Sequence, residues 1–325
     1  MRGLDAGTAF HLAWRVLGRV PGPLVRGLFA LGADVTWLRH GSGVRQLERN
    51  LARVRPELDA AAVRRLSREG MRAYMRYYAE SFTLARTTPE QLAARVRLVD
   101  EGPVFAARDA GGSVVGALGH LGNWDLAGAY SGSFIMPVVT VAERLEPETV
   151  YQEFLAFRQG LGMTIHTLGD DGVFGRLLRA TKEGGNLVPL LADRDLTSRG
   201  IEVDMFGRRA RVAAGPAALA VATGAPLAPI SMHHERLRGE RRRQAGTPWG
   251  LVITFHPFVE ADPALDRKQR THAMTQGWVD ALADAIRAHP QDWHMLQKVF
   301  VEDLDPQRYA RTRLAAGEVG TEGAL

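Results

Sequence analysis

Apolar residues recur at helical spacing through the first quarter of the chain and give way, near Val96, to short β-rich runs. Phe10, Ala13, Trp14 and Leu17 share one helical face. After the Pro21-Gly22-Pro23 break a second helix, opened by Pro23, carries Leu24, Leu28, Leu31, Val35 and Leu38. Arg15, Arg19 and Arg26 interrupt residues 9–40, so this stretch is neither a spanning helix, which needs about 20 mostly apolar residues, nor a cleavable signal peptide. Arg and Trp flank both faces, which is the composition of helices lying in a membrane interface; packing of the same faces onto the protein is the alternative. A third helix through Val44, Leu47, Leu51 and Val54 ends at Arg55-Pro56. A fourth runs from about Asp59 to Thr87 through Val63, Leu66, Tyr74 and Tyr78.

Beyond Val96 the pattern predicts strands at Ser113–Gly119, Ile135–Ala142, Met163–Thr167, Leu187–Ala192, Pro226–His233 and Leu251–His256, with helices between most of them. Such alternation predicts an α/β fold: a mainly parallel central sheet flanked by helices on both faces, preceded by an all-helical N-terminal segment that associates with membranes. The expected organisation is a helical region over residues 1–95, packed on the core, an α/β core over 96–305 and a frayed tail over 306–325. Arg236–Gly250, with Arg241-Arg242-Arg243, reads as a solvated hairpin loop whose Arg cluster is a candidate phosphate contact.

Composition narrows the chemistry. Among 325 residues there is no Cys, which excludes disulfides, thiolate zinc sites, iron–sulfur clusters and a thiol nucleophile. A net charge of +5 suits anionic partners such as phosphates or an acidic membrane surface. Only three of the 41 basic residues are lysines (Lys182, Lys268 and Lys298), so part of the Arg excess reflects the base composition of a GC-rich genome, and charge alone is discounted as a signal. Nucleic acid is not an expected partner, because no helix-turn-helix, aromatic RNA platform or zinc pattern accompanies the arginines. Neither a G-x-G-x-x-G turn after a strand nor a P-loop lysine motif is present.

The informative segment is Val114-Val115-Gly116-Ala117-Leu118-Gly119-His120-Leu121-Gly122-Asn123-Trp124-Asp125. An apolar strand ends in Gly-His and turns into a helix near Trp124, and ligands of open α/β sheets bind at the carboxyl ends of strands. On a continuous helix His120 and Asp125 would lie about 140° apart. Across a strand-turn-helix path Asp125 can instead fold back on one ring nitrogen, leaving the other as a base for a substrate hydroxyl, with acyl transfer to an alcohol as the reaction class. The alternative is a structural His at a strand end and an Asp favoured by the helix dipole.

The HLGNWD string, ADRDL at Ala192–Leu196, MFG at Met205–Gly207, the run Ala213–Ile230 and PQDWHML at Pro290–Leu296 together resemble the bacterial lipid acyltransferases, which include the late lipid A acyltransferases and the actinobacterial phosphatidylinositol mannoside acyltransferases. DRDLTSRGIEVDMFG and the Arg-rich composition make the second branch the nearer one. The resemblance implies a membrane-associated enzyme, and zero Cys with no signal peptide agrees with a peripheral protein on the cytoplasmic face of the cell membrane. It would move a palmitoyl-like chain from acyl-CoA to a mannose hydroxyl of a phosphatidylinositol mannoside. Acyl-CoA is then a donor substrate, and no cofactor or covalent enzyme intermediate is needed. Another glycolipid acceptor, such as a lipid A-like precursor, and a non-catalytic membrane-binding role are the alternatives.

The same resemblance makes His120 the general base, Asp125 its orienting partner, and Asp193 an acidic residue near the acceptor sugar; Glu143 and Arg158 complete a polar pocket. On sequence alone Asp193 fits equally a helix cap or a pair with Arg194, and Glu143 and Arg158 a surface ion pair. Arg194 and Arg211 are candidates for bidentate contacts to phosphate or carboxylate. Backbone amides near Gly122 and Asn123 are the candidate oxyanion donors. His166, His233 and His234 lack spaced carboxylates and read as structural, with no metal expected. Trp293 and His294 read as packing.

Overall fold

The computed structural model describes residues 20–197 and 199–315. The expected first helix, through Phe10 and Leu17, and residues 316–325 lie outside them. The helical region comprises α1 (Gly22–Arg39), α2 (Ser42–Val54), α3 (Ala60–Leu84) and α4 (Pro89–Arg95). Asp59 opens α3 by accepting the Ala62 amide, and Thr88 with Gln91 forms a capping box on α4. Ala33, Val44, Leu47, Leu51, Val63 and Met71 build a small core of their own among α1–α3, which Leu296 joins from the far end of the chain.

The main sheet has five strands in the order β1 (Val96–Val99), β9 (Trp249–Phe255), β8 (Leu227–Arg236), β2 (Val114–Leu118), β5 (Leu187–Leu191). All neighbours run parallel except β8 and β9. β2 is buried at all five positions, as a strand covered on both faces must be. Cover comes from α6 (Trp124–Phe134), against β9, and from α9 (Gly215–Thr223) and α11 (Arg267–Ala288), against β8. The connections α5 (Gly102–Asp109), α7 (Glu148–Gly160) and α8 (Val173–Glu183) complete the alternation. β3 (Val139–Glu143) and β4 (Thr164–Leu168) form a separate parallel pair, tied to the sheet edge by a bridge from Val138 to Leu187.

Four segments depart from the sequence expectation, the first being β1, an edge strand of four residues that is not among the expected strands. Residues 201–212 form a hairpin, β6 (Ile201–Met205) and β7 (Arg208–Val212), turned by Phe206 and Gly207 at φ of 59° and 70°. Glu202, Asp204 and Arg209 on one face, with Arg208 exposed at the turn, dilute the apolar signal that marks a strand. The expected solvated loop at Arg236–Gly250 contains α10 (Gly239–Ala245), anchored because Leu237 and Ala245 bury against Ala94. Its arginines do not converge: Arg241 pairs with Glu235 and Arg243 with Glu240. Finally, part of the expected frayed tail is helical, α12 (Pro306–Ala315), and the Tyr309 hydroxyl donates to Glu202.

Candidate active site

β2 and β5 are parallel neighbours in register Leu118↔Leu191, so residues two beyond each strand end arrive at the same level. Those residues are His120 and Asp193. Asp193 Oδ1 accepts from His120 Nδ1 at 2.6 Å, and Oδ2 accepts both the His120 amide and the Trp293 indole N–H at 2.9 Å. A carboxylate can only accept, so the proton sits on Nδ1 and Nε2 is the ring's basic nitrogen. Asp193 is fully buried, whereas a third of the His120 side chain is exposed. Burial acts most strongly on each group, yet it is outweighed. Attraction and hydrogen bonding to Asp193 raise the His120 pKa, and His120 with Trp293 holds the Asp193 carboxyl below its usual range. Gly119 leaves room for the contact, since a β-carbon there would stand 3.1 Å from Asp193 Oδ2.

The turn after His120 is braced by the C-terminal segment. His294 N–H donates to the His120 carbonyl at 2.8 Å, Gly122 N–H to the Asp292 carbonyl at 2.9 Å, and His294 Nε2 to the Gly122 carbonyl at 2.8 Å. Burial lowers the His294 pKa to about 4, which keeps it a neutral donor. Gly122 sits at φ +56°, and a β-carbon there would come within 3.1 Å of Met232 and Leu251. Asn123 then caps α6 by accepting the Leu126 amide, while its side-chain N–H donates to the buried Glu80.

His120 lines a groove of about 290 Å³ together with Tyr78, Trp124, Glu143, Arg194 and His294. Trp124, Val141, Arg158 and Leu191 also border a second, narrow and mainly apolar cavity that runs between α6 and the sheet past Leu118, Gly128, Met163, Ile230 and Phe255. The groove that holds His120 and the apolar slot thus lie side by side and share the walls Trp124, Val141, Arg158 and Leu191.

The family model of bacterial lipid A biosynthesis acyltransferases matches residues 6–302. The chain belongs to that family. A protein of Mycolicibacterium smegmatis named phosphatidylinositol mannoside acyltransferase is 35% identical over 304 residues, covering 93% of each chain. A protein of the same name from Mycobacterium tuberculosis strain H37Rv is 38% identical over 309 residues, covering 94% of this chain and 92% of its own. The chain is accordingly an acyltransferase.

Within this acyltransferase the expected residues fall into three groups. His120, Asp193, Glu143, Arg158 and Arg194 come together at the groove, with Arg194 3.8 Å from Glu143. Asp125 does not pair with His120. It lies buried on the first turn of α6, where Oδ1 accepts from Arg158 Nε at 2.7 Å and Oδ2 from the Tyr77 hydroxyl at 2.8 Å, tying α6 to α7 and α3 at the wall between groove and slot. The expected Glu143–Arg158 surface pair is replaced by these two separate pairings. Arg211 is fully buried and turned to the β6–β7 hairpin, donating to the carbonyls of Thr197 and Gly200. Such a guanidinium is a clamp for its own loop and reaches no substrate.

Two expectations about the brace also change. Trp293 and His294 do more than pack, since one holds the carboxylate of the His–Asp pair and the other holds the turn. The Gly122 amide, expected as an oxyanion donor, is spent on Asp292. The signal that identifies Asp193 was present in the sequence, because the two apolar strand runs end at equivalent distances before His120 and Asp193.

Proposed function

We propose that this acyltransferase moves a long acyl chain from acyl-CoA to a mannose hydroxyl of a phosphatidylinositol mannoside, on the cytoplasmic surface of the cell membrane, with His120 as general base and Asp193 as its orienting partner. The observation that carries the reading is His120, tautomer-locked by Asp193, in a groove that shares a wall with an apolar slot. An acyl chain in the slot and a sugar in the groove meet at that wall. Nε2 takes the proton of the acceptor hydroxyl as its oxygen attacks the thioester carbon. Collapse of the tetrahedral intermediate breaks the C–S bond, and the imidazolium returns the proton to the departing thiolate. Glu143 and Arg194 flank the acceptor side, while Asp125 and Arg158 hold the shared wall in one shape.

Membrane association rests on α1. Leu24, Leu28, Leu31 and Leu38 are each more than half exposed and form one stripe with Val35, while Val25 and Ala33, outside the stripe, are buried. The exposure of this stripe favours the interfacial reading over packing, and no described helix is long and apolar enough to cross a membrane. A surface-lying helix fits both facts.

The acceptor follows the names of the mycobacterial relatives. Because the family model is named for lipid A biosynthesis, a lipid A-like glycolipid is the second acceptor to test. Purified wild type and His120→Ala, given palmitoyl-CoA with each acceptor, are to be compared by mass spectrometry of the product. The expected outcome is an acylated mannoside from wild type and a loss of about 10²–10⁴-fold in the variant. Full activity in the variant overturns the assignment of the base, and product only from the lipid A-like acceptor overturns the assignment of the sugar.

A further inference from the structure

Across α3 from the groove lies a third cavity, of about 640 Å³, between α1, α3 and the ends of β8 and β9. It and the groove use different faces of α3: Tyr74, Tyr77 and Tyr78 line the groove, while Arg72 and Arg76 line the third cavity. Arg26 and Arg236 join them there. The guanidinium carbons of Arg76 and Arg236 lie 3.5 and 4.3 Å from the centre of the Trp249 ring, so one indole holds both cations at the cavity through cation–π contact.

The charges in this cavity are unevenly matched. Arg72 is bound by Asp34, which also takes Arg68. Asp292 is occupied by His234 and Glu80 by Arg95 and Asn123. Glu69 is the remaining carboxylate of the lining. Burial lowers the Arg76 pKa despite attraction to Glu80 and Asp292, and it lowers that of Arg26 as well, the condition of cations whose desolvation is not fully offset. Nε2 of the buried His234, also on the lining, makes no hydrogen bond and stands 3.9 Å from Glu80.

The position of the cavity indicates the source of a counter-anion. At about 100° per residue, Gly27 and Ala30, which line it, lie roughly 60° and 120° round α1 from the centre of the exposed Leu24–Leu38 stripe. A helix that sinks this stripe into a bilayer brings the cavity mouth to the level of the lipid phosphates.

We propose that Arg26, Arg76 and Arg236 form a binding site, separate from the acyl-transfer groove, for the phosphodiester head group of an anionic phospholipid. The proposal rests on the membrane-facing reading of α1 and not on the assignment of His120. Its occupant anchors the acyltransferase and sets the tilt of α3, and so the approach of the groove to the surface.

The test is binding of full-length protein to phosphatidylcholine vesicles with and without phosphatidylinositol, for wild type, Arg76→Gln/Arg236→Gln and Leu28→Ser. Thermal melts confirm that each variant is folded, and Arg236→Gln alone serves if the double variant is not. Each basic residue at an anionic surface contributes roughly a fivefold gain, so the double variant is expected to lose about 25-fold of the gain given by phosphatidylinositol while keeping its binding to phosphatidylcholine. Leu28→Ser is expected to weaken binding to both vesicles equally. A phosphatidylinositol gain that survives Arg76→Gln/Arg236→Gln, or a soluble glycerophosphoinositol that binds as tightly as the vesicle, overturns the site or its lipid source respectively. Loss of all vesicle binding by wild type overturns the membrane reading on which it rests, whatever His120→Ala does to catalysis.

Discussion

The molecule contains the same histidine–aspartate clasp twice. His120 bonds Asp193 through Nδ1 at 2.6 Å and through its own amide at 2.9 Å; His234 bonds Asp292 through Nδ1 at 2.6 Å and through its amide at 3.3 Å. Both aspartates are buried, and both histidines have raised pKa values, because attraction to the carboxylate outweighs the larger single effect of burial. What differs is the other side of the ring. A third of the His120 side chain is exposed, at a groove, whereas His234 is 2% exposed and faces Glu80. On the proposed mechanism the base is distinguished by an open Nε2 beside a space for substrate, which the local geometry of the clasp alone does not supply.

The widest separation between the two comes from truncation. Acyl transfer by His120→Ala is expected to collapse at a smaller cost in stability than that of His234→Ala, because Asp193 keeps the His120 amide and the Trp293 indole as donors at 2.9 Å while the His234 amide stands 3.3 Å from Asp292. His234→Ala strips the partner from Asp292 and a neighbouring cation from Glu80, whose carboxyl is held down at about 2. Breaking a buried pair costs about 3–5 kcal/mol, so this variant should unfold at much lower denaturant yet retain its turnover per folded molecule. Urea unfolding and single-turnover assays on both variants decide this; a stable but inactive His234→Ala would mean that the second clasp also takes part in the chemistry.

A smaller effect sharpens the role of Asp193. Asn keeps the volume but removes the charge that raises the His120 pKa. Since the base acts only when neutral, the acid limb of the rate profile in wild type falls at a pH above the ordinary histidine value. Asp193→Asn should move that limb to lower pH while cutting the plateau roughly a hundredfold through loss of the tautomer lock. A plateau that drops with the limb unmoved would assign Asp193 to positioning alone.

How far this could be read from the chain follows from the same comparison. The strand ends and His120 were legible, because β2 and β5 are unbroken apolar runs that end just before Gly119-His120 and Ala192-Asp193. The partner of His120 was misassigned to Asp125 because nearness along the chain was given priority over nearness across a parallel pair. In such a sheet the relevant neighbour sits at the matching distance past another strand, 73 residues away. Arg211 failed for a different reason: an arginine in a motif-rich loop looks the same in sequence whether it faces substrate or its own backbone, and only the β6–β7 hairpin decides. The exposed stripe of α1 was read as a face correctly, but periodicity does not say against what a face lies.

The finest distinction is in the pH dependence of stability. His234 has its folded pKa raised, so its contribution is fully present below the unfolded value of about 6.5 and is lost as pH rises through the folded value. Asp292 has its folded pKa lowered, so its share is present above about 3.9 and disappears as pH falls through the folded value. The second clasp is thus worth most between about pH 4 and 6.5. The stability gap between wild type and Asp292→Asn should be widest there and narrow above it, by about 1.4 kcal/mol for each unit by which the histidine is shifted. At the first clasp the same titration is read in the rate, since loss of the proton from His120 releases its base. A gap for Asp292→Asn that stays flat from pH 5 to pH 9 would mean that His234 is neutral throughout, and the likeness between the two clasps would then be one of shape without shared charge.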